Sequence, residues 1–337
     1  MMNIFYEYDH INNNMNDFEN RIDLTQLSEK IGQLRAEASK ALIGQQEMLD
    51  LILTAMFAGG HVLIEGVPGI AKTLAAKLVS KLVAADFKRI QFTPDLMPSD
   101  VLGTFVFNPK TTSFEYKQGP IFSNLVLIDE INRAPAKTQA SLFEVMEEKQ
   151  ISSDGQTYPL ESLFMVLATQ NPIEQEGTYR LPEAQLDRFI FKIIVDYPEG
   201  DEESKILQMT NKNTNHHKLG FIESVISKEE IVSLRENLES IVMKDTLIDY
   251  IVKLIGQTRD HHSLYLGASP RASIDLMKAS KAFAAIQGRD FVSPEDIKRL
   301  FRPVVEHRII LSPEAELQGI TIKEVTDQIL QQVEVPK

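Results

Sequence analysis

The sequence predicts an α/β fold: a doubly wound parallel sheet of five strands, followed by a C-terminal all-α domain. Five short apolar segments separated by helical patterns indicate the sheet, because strands covered on both faces have no solvent side toward which to alternate. Beyond Asp196 the chain becomes polar and charged and then helical, which indicates the second domain. The predicted strands are HVLIEG (61–66), RIQF (89–92), LVLID (125–129), FMVLAT (164–169) and FKIIV (191–195).

Composition and charge exclude several classes of function. The 337 residues suffice for about two domains. The 48 acidic and 35 basic side chains give a net charge of -13, which repels nucleic acid and anionic membranes. The absence of cysteine excludes disulfides and cysteine-ligated metal sites. With no signal-like start and no long apolar run, the sequence predicts a cytoplasmic protein without membrane insertion, for which nucleic acid is a disfavoured partner.

The chain divides where its composition changes. An Asn-rich opening predicts a flexible N-terminal arm, and helical spacing of apolar residues from Leu24 to Phe57 predicts helices after it. Two segments with polar centres, one carrying the turn signal Asp154-Gly155, predict hairpins inserted into the core. The predicted limits are 1–23 for the arm, 24–200 for the core, about 105–119 and 149–160 for the hairpins, 201–224 for a linker and 225–337 for the helical lid domain.

Two sequences in the second domain are typical of helix starts. Ser227 and Glu230 fit a capping box, in which each side chain bonds the other residue's backbone N–H. Ser293 precedes Pro294, and proline is favoured at the first position of a helix. An apolar helical face that stops at Gly288 lies between them. The domain is therefore predicted to be a small helical bundle.

The segment GVPGIAKT, which ends at Thr73, follows the first predicted strand and has nearly the pattern of a phosphate-binding loop, GxxxxGK[ST]. Such a loop needs backbone N–H groups that converge on anionic oxygens at a helix N-terminus, plus one cation. Gly66 and Gly69 supply backbone freedom, Lys72 supplies charge for the β- and γ-phosphates, and Thr73 supplies a hydroxyl for Mg²⁺. The alternative is an apolar Gly/Pro turn that contains a lysine.

Ala71 replaces the second glycine of that pattern. It immediately precedes the lysine, where the chain turns into the helix. We therefore expect Ala71 to adopt right-handed helical angles and still to donate its N–H. The substitution is then expected to narrow the loop without abolishing it.

Polar side chains follow two of the buried strands. Asp129 and Glu130 end the strand LVLID, where one carboxylate can hold Mg²⁺ through its water shell and the other can polarise an attacking water. Asn171 follows the next strand, where a neutral amide can position that water and contact the γ-phosphate. The alternatives are a helix-capping Asp with a solvated Glu, and an Asn in a turn before Pro172.

Two arginines are candidates for stabilising charge during phosphoryl transfer. Arg188 lies just before the last strand, and Arg271 starts a helix of the second domain. Either one could instead form a surface salt bridge, which is the usual role of an arginine. An arginine at the developing charge accelerates phosphoryl transfer by about 10³–10⁵-fold.

The motifs GVPGIAKT, LVLIDEINRAP, LATQNPIEQEGTYRLPEAQLDRF and GASPRAS together resemble the MoxR family of AAA+ ATPases, from about Ile31 onward. The resemblance implies a P-loop NTPase of AAA+ type that uses ATP and Mg²⁺. Members of the family usually have alanine before the lysine, as here. The nucleotide-binding residues that it implies are Ile43, Gly44, Gly66, Val67, Pro68, Gly69, Ile70, Ala71, Lys72, Thr73 and Leu74, with Thr73 and Asp129 at the metal.

The same resemblance assigns roles to the other candidates. Asp129 and Glu130 would be the Walker B pair, and Asn171 would be sensor 1. Arg188 would be an arginine finger, which reaches the phosphates bound by a neighbouring subunit. Arg271 would be sensor 2, tying the γ-phosphate to the lid of its own subunit. The family generally has proline where this chain has Arg180, so Arg180 remains an alternative to Arg188.

The resemblance also implies partners and a type of function. It implies a ring of identical subunits, expected to be a hexamer, which remodels, assembles or activates a client protein complex, including by metal insertion. A protein with a von Willebrand factor A domain is an expected partner. The hairpins would face the ring pore, where Phe107, Phe114 and Tyr116 either grip a client or pack the hairpin. A nucleic-acid motor and a self-contained small-molecule kinase remain alternatives.

Overall fold

The computed structural model describes residues 25–67, 69–172, 179, 181–211 and 219–336. The predicted N-terminal arm, Pro68 and Arg180 therefore lie outside the described residues. Within the described parts of the chain, an α/β core is followed by helices, as the sequence predicts. No helix in those parts is both long and apolar enough to cross a membrane.

Helices and strands alternate in the core, with two hairpins between them. In chain order its elements are α1 (Thr25–Ser39), α2 (Gln46–Ala58), β1 (His61–Gly66), α3 (Lys72–Leu82), β2 (Phe87–Gln91), α4 (Pro98–Leu102), β3 (Gly103–Asn108), β4 (Ser113–Gln118), β5 (Leu125–Asp129), α5 (Ala136–Glu148), β6 (Gln150–Ser153), β7 (Gln156–Pro159), β8 (Met165–Gln170), α6 (Glu183–Leu186) and β9 (Phe189–Val195).

Five of these strands form one parallel sheet in the order β2-β5-β8-β1-β9. All five predicted strands are confirmed, although β2 and β9 begin earlier, at Phe87 and Phe189. Every residue of β5 is buried, in agreement with its unbroken apolar sequence. Because all pairs are parallel, the sheet has one carboxyl end, where its strands finish, and one amino end, where they begin.

The two predicted hairpins are confirmed as β3–β4 and β6–β7. Tyr116 of the first stacks on Tyr158 of the second with ring centroids 4.3 Å apart, so the two hairpins pack against each other. Phe107 and Phe114 face each other across β3 and β4, yet they are 50% and 69% exposed. Tyr116 thus joins the hairpins, whereas the phenylalanine pair remains available for other contacts.

Helices form most of the chain after β9. In order, the elements are α7 (Gly200–Asn211), α8 (Lys228–Asn237), α9 (Asp245–Asp260), β10 (Leu264–Leu266), α10 (Pro270–Ile286), α11 (Pro294–Val305), β11 (Ile310–Leu311), α12 (Pro313–Leu317) and α13 (Ile322–Gln332). The helix starts at Ser227 and Ser293 are confirmed, each with a capping box. The segment predicted as a linker contains α7, whose polar composition concealed a helix with no buried residue.

The lid helices pack beside the core at the α2 and β9 side of the sheet. Helix α10 contacts α2, and α11 contacts β9. The imidazole Nε2 of His307, which follows α11, donates to the carbonyl of Phe189 at the start of β9, over 2.8 Å. The lid therefore reaches the amino end of the sheet, and this position decides where its arginines lie.

Candidate functional site

The predicted phosphate-binding loop connects the end of β1 to the start of α3. A Cβ atom at Gly66 would lie 2.7 Å from the carbonyl oxygen of Val195, so no larger residue fits there without displacing β9. Gly69 has a φ of 91°, in the region that favours glycine. Lys72 opens α3, and its ammonium donates to the carbonyl of Gly66 over 2.5 Å, so its side chain lies back over the loop.

The prediction that Ala71 takes right-handed helical angles is wrong. Its φ of 61° and ψ of 15° are left-handed, because the loop turns through this residue immediately before the first residue of α3. The general pattern has glycine here for that reason. A left-handed alanine costs on the order of 1–3 kcal/mol, which the surrounding loop must offset.

Substitutions at Ala71 test this backbone conformation. Ala71→Val is expected to lower the free energy of unfolding by about 1–2 kcal/mol and to weaken ATP binding, because a β-branched residue resists positive φ. Ala71→Gly is the matched control and is expected to stay within about 1 kcal/mol of the parent, since relief of strain offsets the entropy of glycine in the unfolded chain. Denaturant unfolding measures the free energy of unfolding of the two variants. Equal losses of stability in Ala71→Val and Ala71→Gly would contradict a strained backbone at Ala71.

Asp129 and Glu130 lie at the carboxyl end of the sheet, where β5 finishes. The hydroxyl of Thr169, on the neighbouring strand β8, donates to Asp129 Oδ1 over 3.1 Å and accepts from the backbone N–H of Glu130 over 3.1 Å. Gln91, the last residue of β2, donates its amide to Glu130 Oε2 over 2.7 Å. The strands on either side of β5 therefore contribute one contact each, Thr169 to the Asp129 carboxylate and Gln91 to the Glu130 carboxylate.

Two arginines also contact this pair of carboxylates. Arg89 donates to Asp129 Oδ2, and Arg133 Nε lies 3.0 Å from Glu130 Oε2. Asp129 is 7% exposed. With the Thr73 hydroxyl in the first turn of α3, the Asp129 carboxylate gives the oxygen ligands that Mg²⁺ prefers. Since both Asp129 oxygens already accept hydrogen bonds, the arrangement suits a metal held through its water shell.

Asn171 follows β8, the strand that lies between β5 and β1 in the sheet. Strands are about 4.8 Å apart, so Asn171 lies between the carboxylates on one side and the loop on the other. It is 7% exposed. The structure thus brings Lys72, Thr73, Asp129, Glu130 and Asn171 to one end of the sheet.

Ile43 and Gly44 lie near the same end of the sheet. Gly44 has a φ of 73°, and a Cβ atom there would lie 2.8 Å from Glu202 Oε1 in α7. The neighbouring Gln45 donates to the carbonyl of Asp196 over 3.5 Å, just beyond the end of β9. The turn expected to flank adenine therefore contacts the chain that leaves the carboxyl end of the sheet.

Arg188 and Arg271 lie elsewhere, at the amino end of the sheet. Arg188 immediately precedes β9, whose first residue pairs with His61, whereas the loop begins at Gly66. At about 3.3 Å per strand residue, the two levels are separated by ~17 Å. Arg188 donates to Glu147 Oε2 over 2.6 Å, and Arg271 donates to the same oxygen over 2.8 Å.

The structure therefore does not bring Arg271 to the loop of its own chain, contrary to the expectation that it ties its own γ-phosphate to the lid. The lid packs at the amino end of the sheet, so Arg271 meets Glu147 at the end of α5. The hydrogen bond from Arg271 lowers the pKa of Glu147, against the opposing effect of burial. Glu147 thus remains ionised and holds the two arginines together.

Sequence reasoning missed several residues that shape the site. Gln91 ends a strand that was predicted, so its place beside the carboxylates could have been inferred from the strand's carboxyl end. Thr169 was likewise within a predicted strand. Glu147 gave no such signal, because its role depends on a hydrogen bond from Arg271 of a lid helix, more than a hundred residues away in sequence.

Comparisons with known proteins agree with this arrangement. The chain matches the ATPase family associated with various cellular activities (AAA) over residues 61–191 and the AAA lid domain over residues 256–333. A solved structure from Cytophaga hutchinsonii, of a protein assigned as an ATPase, has a TM-score of 0.86 and 42% identity, covering 94% of this chain and 97% of that chain. Fold and site together define an AAA+ protein with a P-loop core and a helical lid.

Two curated relatives narrow the family. The uncharacterized protein YeaC of Bacillus subtilis is 45% identical over 306 residues, which cover 91% of this chain and 95% of the relative. The chaperone MoxR1 of Mycobacterium tuberculosis is 40% identical over 310 residues, covering 89% of this chain and 81% of the relative. The chain belongs to the MoxR family of AAA+ ATPases. ATPase activity is a property of that family.

Proposed function

We propose that this protein binds ATP with Mg²⁺ at residues 66–74 and hydrolyses it at an interface between two copies of the chain. The observation that supports this most is the separation of the site into two halves. The loop and the carboxylates lie at the carboxyl end of the sheet, whereas Arg188 and Arg271 share Glu147 at the amino end. One chain cannot bring both halves to the same phosphate in this conformation, but two neighbouring copies can.

Within one site, each residue has a role that its position suits. The backbone N–H groups of the loop and the Lys72 ammonium bind the phosphates, and Lys72 exchanges the Gly66 carbonyl for a phosphate oxygen. Thr73 and Asp129 hold the metal, which when bound neutralises charge on the phosphates. Glu130 polarises the attacking water and Asn171 orients it. Arg188 and Arg271 of the neighbouring copy stabilise the charge that develops.

The contacts of Glu130 support its role as the residue that polarises water. The Gln91 amide and the Thr169 hydroxyl fix its side chain and its backbone from two different strands. Its φ of 58° is left-handed, so the chain turns sharply after β5 and directs residue 130 away from the strand. A carboxylate with fixed orientation contributes more to proton transfer than a mobile one.

We further propose that the hydrolysis drives chaperone-like remodelling, assembly or activation of a client protein complex in the cytoplasm. One relative is named as a chaperone. The hairpins pack against each other and leave Phe107 and Phe114 exposed, which suits contact with a client polypeptide. The same proposal includes a hexameric ring, a client with a von Willebrand factor A domain, and metal insertion as the task. It also keeps the domain limits 1–23, 24–200, 201–224 and 225–337.

Lys72→Ala tests nucleotide binding. Removal of the ammonium is expected to weaken the binding of ATP with Mg²⁺ about 10- to 100-fold, because a charge-assisted hydrogen bond to phosphate is lost. Titration calorimetry at matched salt measures the affinity for ATP with Mg²⁺. Lys77→Ala, an exposed position on the same helix, is the control and is expected to bind like the parent. Equal affinity of Lys72→Ala and the parent would contradict the proposed site.

A further inference from the structure

A lid arginine is hydrogen-bonded to the residues on both sides of Arg188. Arg308, which follows α11, donates from Nη2 to the carbonyl of Asp187 over 3.0 Å and to the carbonyl of Phe189 over 2.9 Å. These two residues are the immediate neighbours of Arg188. The neutral imidazole of His307, whose pKa burial lowers well below its usual value, donates to the Phe189 carbonyl as well.

Side chains complete this contact. Arg308 Nε donates to Asp187 Oδ1 over 2.7 Å, and Nη2 donates to Asp275 Oδ2 of α10 over 2.5 Å. Ser269, which caps α10 just before the segment that carries Arg271, donates its hydroxyl to Asp187 Oδ2 over 3.0 Å. The Arg308 side chain is only 2% exposed, so its charge is withdrawn from water and depends on these carboxylates.

The same lid reaches the side chain of Arg188 through a second route. Arg271 of α10 and Arg188 of the core donate to one oxygen of Glu147. The lid therefore holds the backbone that flanks Arg188 and also binds the carboxylate that orients its guanidinium. A shift of α10 and α11 relative to the core would have to move or break both sets of contacts.

Resting on the proposed function, we propose that Arg308 is a positioning residue, which fixes the backbone on either side of Arg188 so that Arg188 reaches the phosphates of the neighbouring subunit. The buried Arg308 side chain acts through Asp187 and Phe189, to which it is hydrogen-bonded. The lid of one subunit thereby controls hydrolysis in the next subunit. A displacement of about 1 Å at a catalytic group can cost about 10²-fold in rate, so a loosened Arg188 is expected to lose much of its effect.

Mixed rings separate this role from general stability. An Arg188→Ala chain offers an intact loop without the arginine, and a Glu130→Gln chain offers the arginine without a working site. Their mixture is expected to recover hydrolysis only where the first chain's loop meets the second chain's arginine. Arg308→Lys, which keeps the charge but removes the planar fork, can then be added to either chain.

Placed in the Glu130→Gln chain, Arg308→Lys is expected to lower the recovered rate about 10- to 100-fold, because that chain supplies Arg188. Placed in the Arg188→Ala chain, it is expected to change the recovered rate less than about twofold, because that chain supplies only the loop. Equal losses in both arrangements, or no loss in the first, would overturn the proposal. Asp187→Asn is the second variant, for use if Arg308→Lys does not assemble. It is likewise expected to lower the recovered rate in the Glu130→Gln chain and not in the Arg188→Ala chain.

Arg289→Lys is the matched control in the Glu130→Gln chain. Arg289 forms a bidentate pair with the buried Asp296 inside the lid, 2.8 and 2.6 Å from its two oxygens. It does not belong to the contacts around Arg188, so its loss should leave the recovered rate within about twofold. If the mixture of Arg188→Ala and Glu130→Gln chains without Arg308→Lys shows no recovery, the proposed shared site is wrong. The role of Arg308 is then wrong as well. Recovery followed by equal losses overturns the inference alone.

Discussion

Replacement of Arg188 by alanine is expected to slow ATP hydrolysis about 10³-fold or more while ATP binding stays close to that of the parent. The reason is its position at the amino end of the sheet, ~17 Å along β1 from the loop of its own chain. In the proposed arrangement the guanidinium acts on the phosphates of a neighbour, so its loss would remove stabilisation of the developing charge and leave the bound ground state nearly intact. Steady-state rates and calorimetry measure the two effects separately.

Two other arginines make this result specific. Arg299→Ala removes a lid arginine that lies over the Phe283 ring and 4.0 Å from Asp50, away from Glu147, and it is expected to change the rate less than about twofold. Arg180→Ala tests the alternative that the sequence left open. A full loss in Arg180→Ala, with normal hydrolysis in Arg188→Ala, would transfer the role to Arg180.

Glu130→Gln is expected to lower the hydrolysis rate about 10²- to 10⁴-fold with ATP binding retained. The substitution preserves shape, and its amide oxygen can still accept from Gln91, so the turn after β5 should remain in place. What is lost is the carboxylate that we propose polarises the water. A single-turnover assay with saturating protein isolates this step from nucleotide exchange.

Glu144→Gln is a suitable control for the loss of one negative charge. Glu144 is exposed on α5, the helix that also carries Glu147, and takes no part in the contacts around the carboxylates of β5. It is expected to hydrolyse ATP at the parent rate. If Glu130→Gln were as active as Glu144→Gln, another group would have to polarise the water.

Local patterns were sufficient to predict the strands, the hairpins and the loop. A buried parallel strand such as β5 has an unbroken apolar sequence, and the turn signal at Asp154-Gly155 directly encodes the second hairpin. Each polar residue at the carboxyl end of the sheet ends or follows a predicted strand. Asp129, Glu130 and Asn171 could therefore be placed near Lys72 without a structure.

Properties that depend on packing between distant segments could not be predicted in this way. The left-handed angles of Ala71 are imposed by the loop against the intrinsic preference of alanine. The place of Arg271 depends on which side of the core the lid occupies, and no local spacing encodes that choice. The hydrogen bond from Arg308 to Asp187 likewise joins residues more than a hundred positions apart.

The two cations that share one carboxylate at Glu147 bear on how copies of the chain can assemble. If they serve a neighbour's phosphates, the surface that donates arginines differs from the surface that receives them, so the contact is heterologous and head-to-tail. Such a contact closes into a ring only when its rotation divides the full circle, and otherwise it continues as a filament. A two-fold symmetric pair would need the loop and the arginines on one surface, whereas they lie at opposite ends of the sheet.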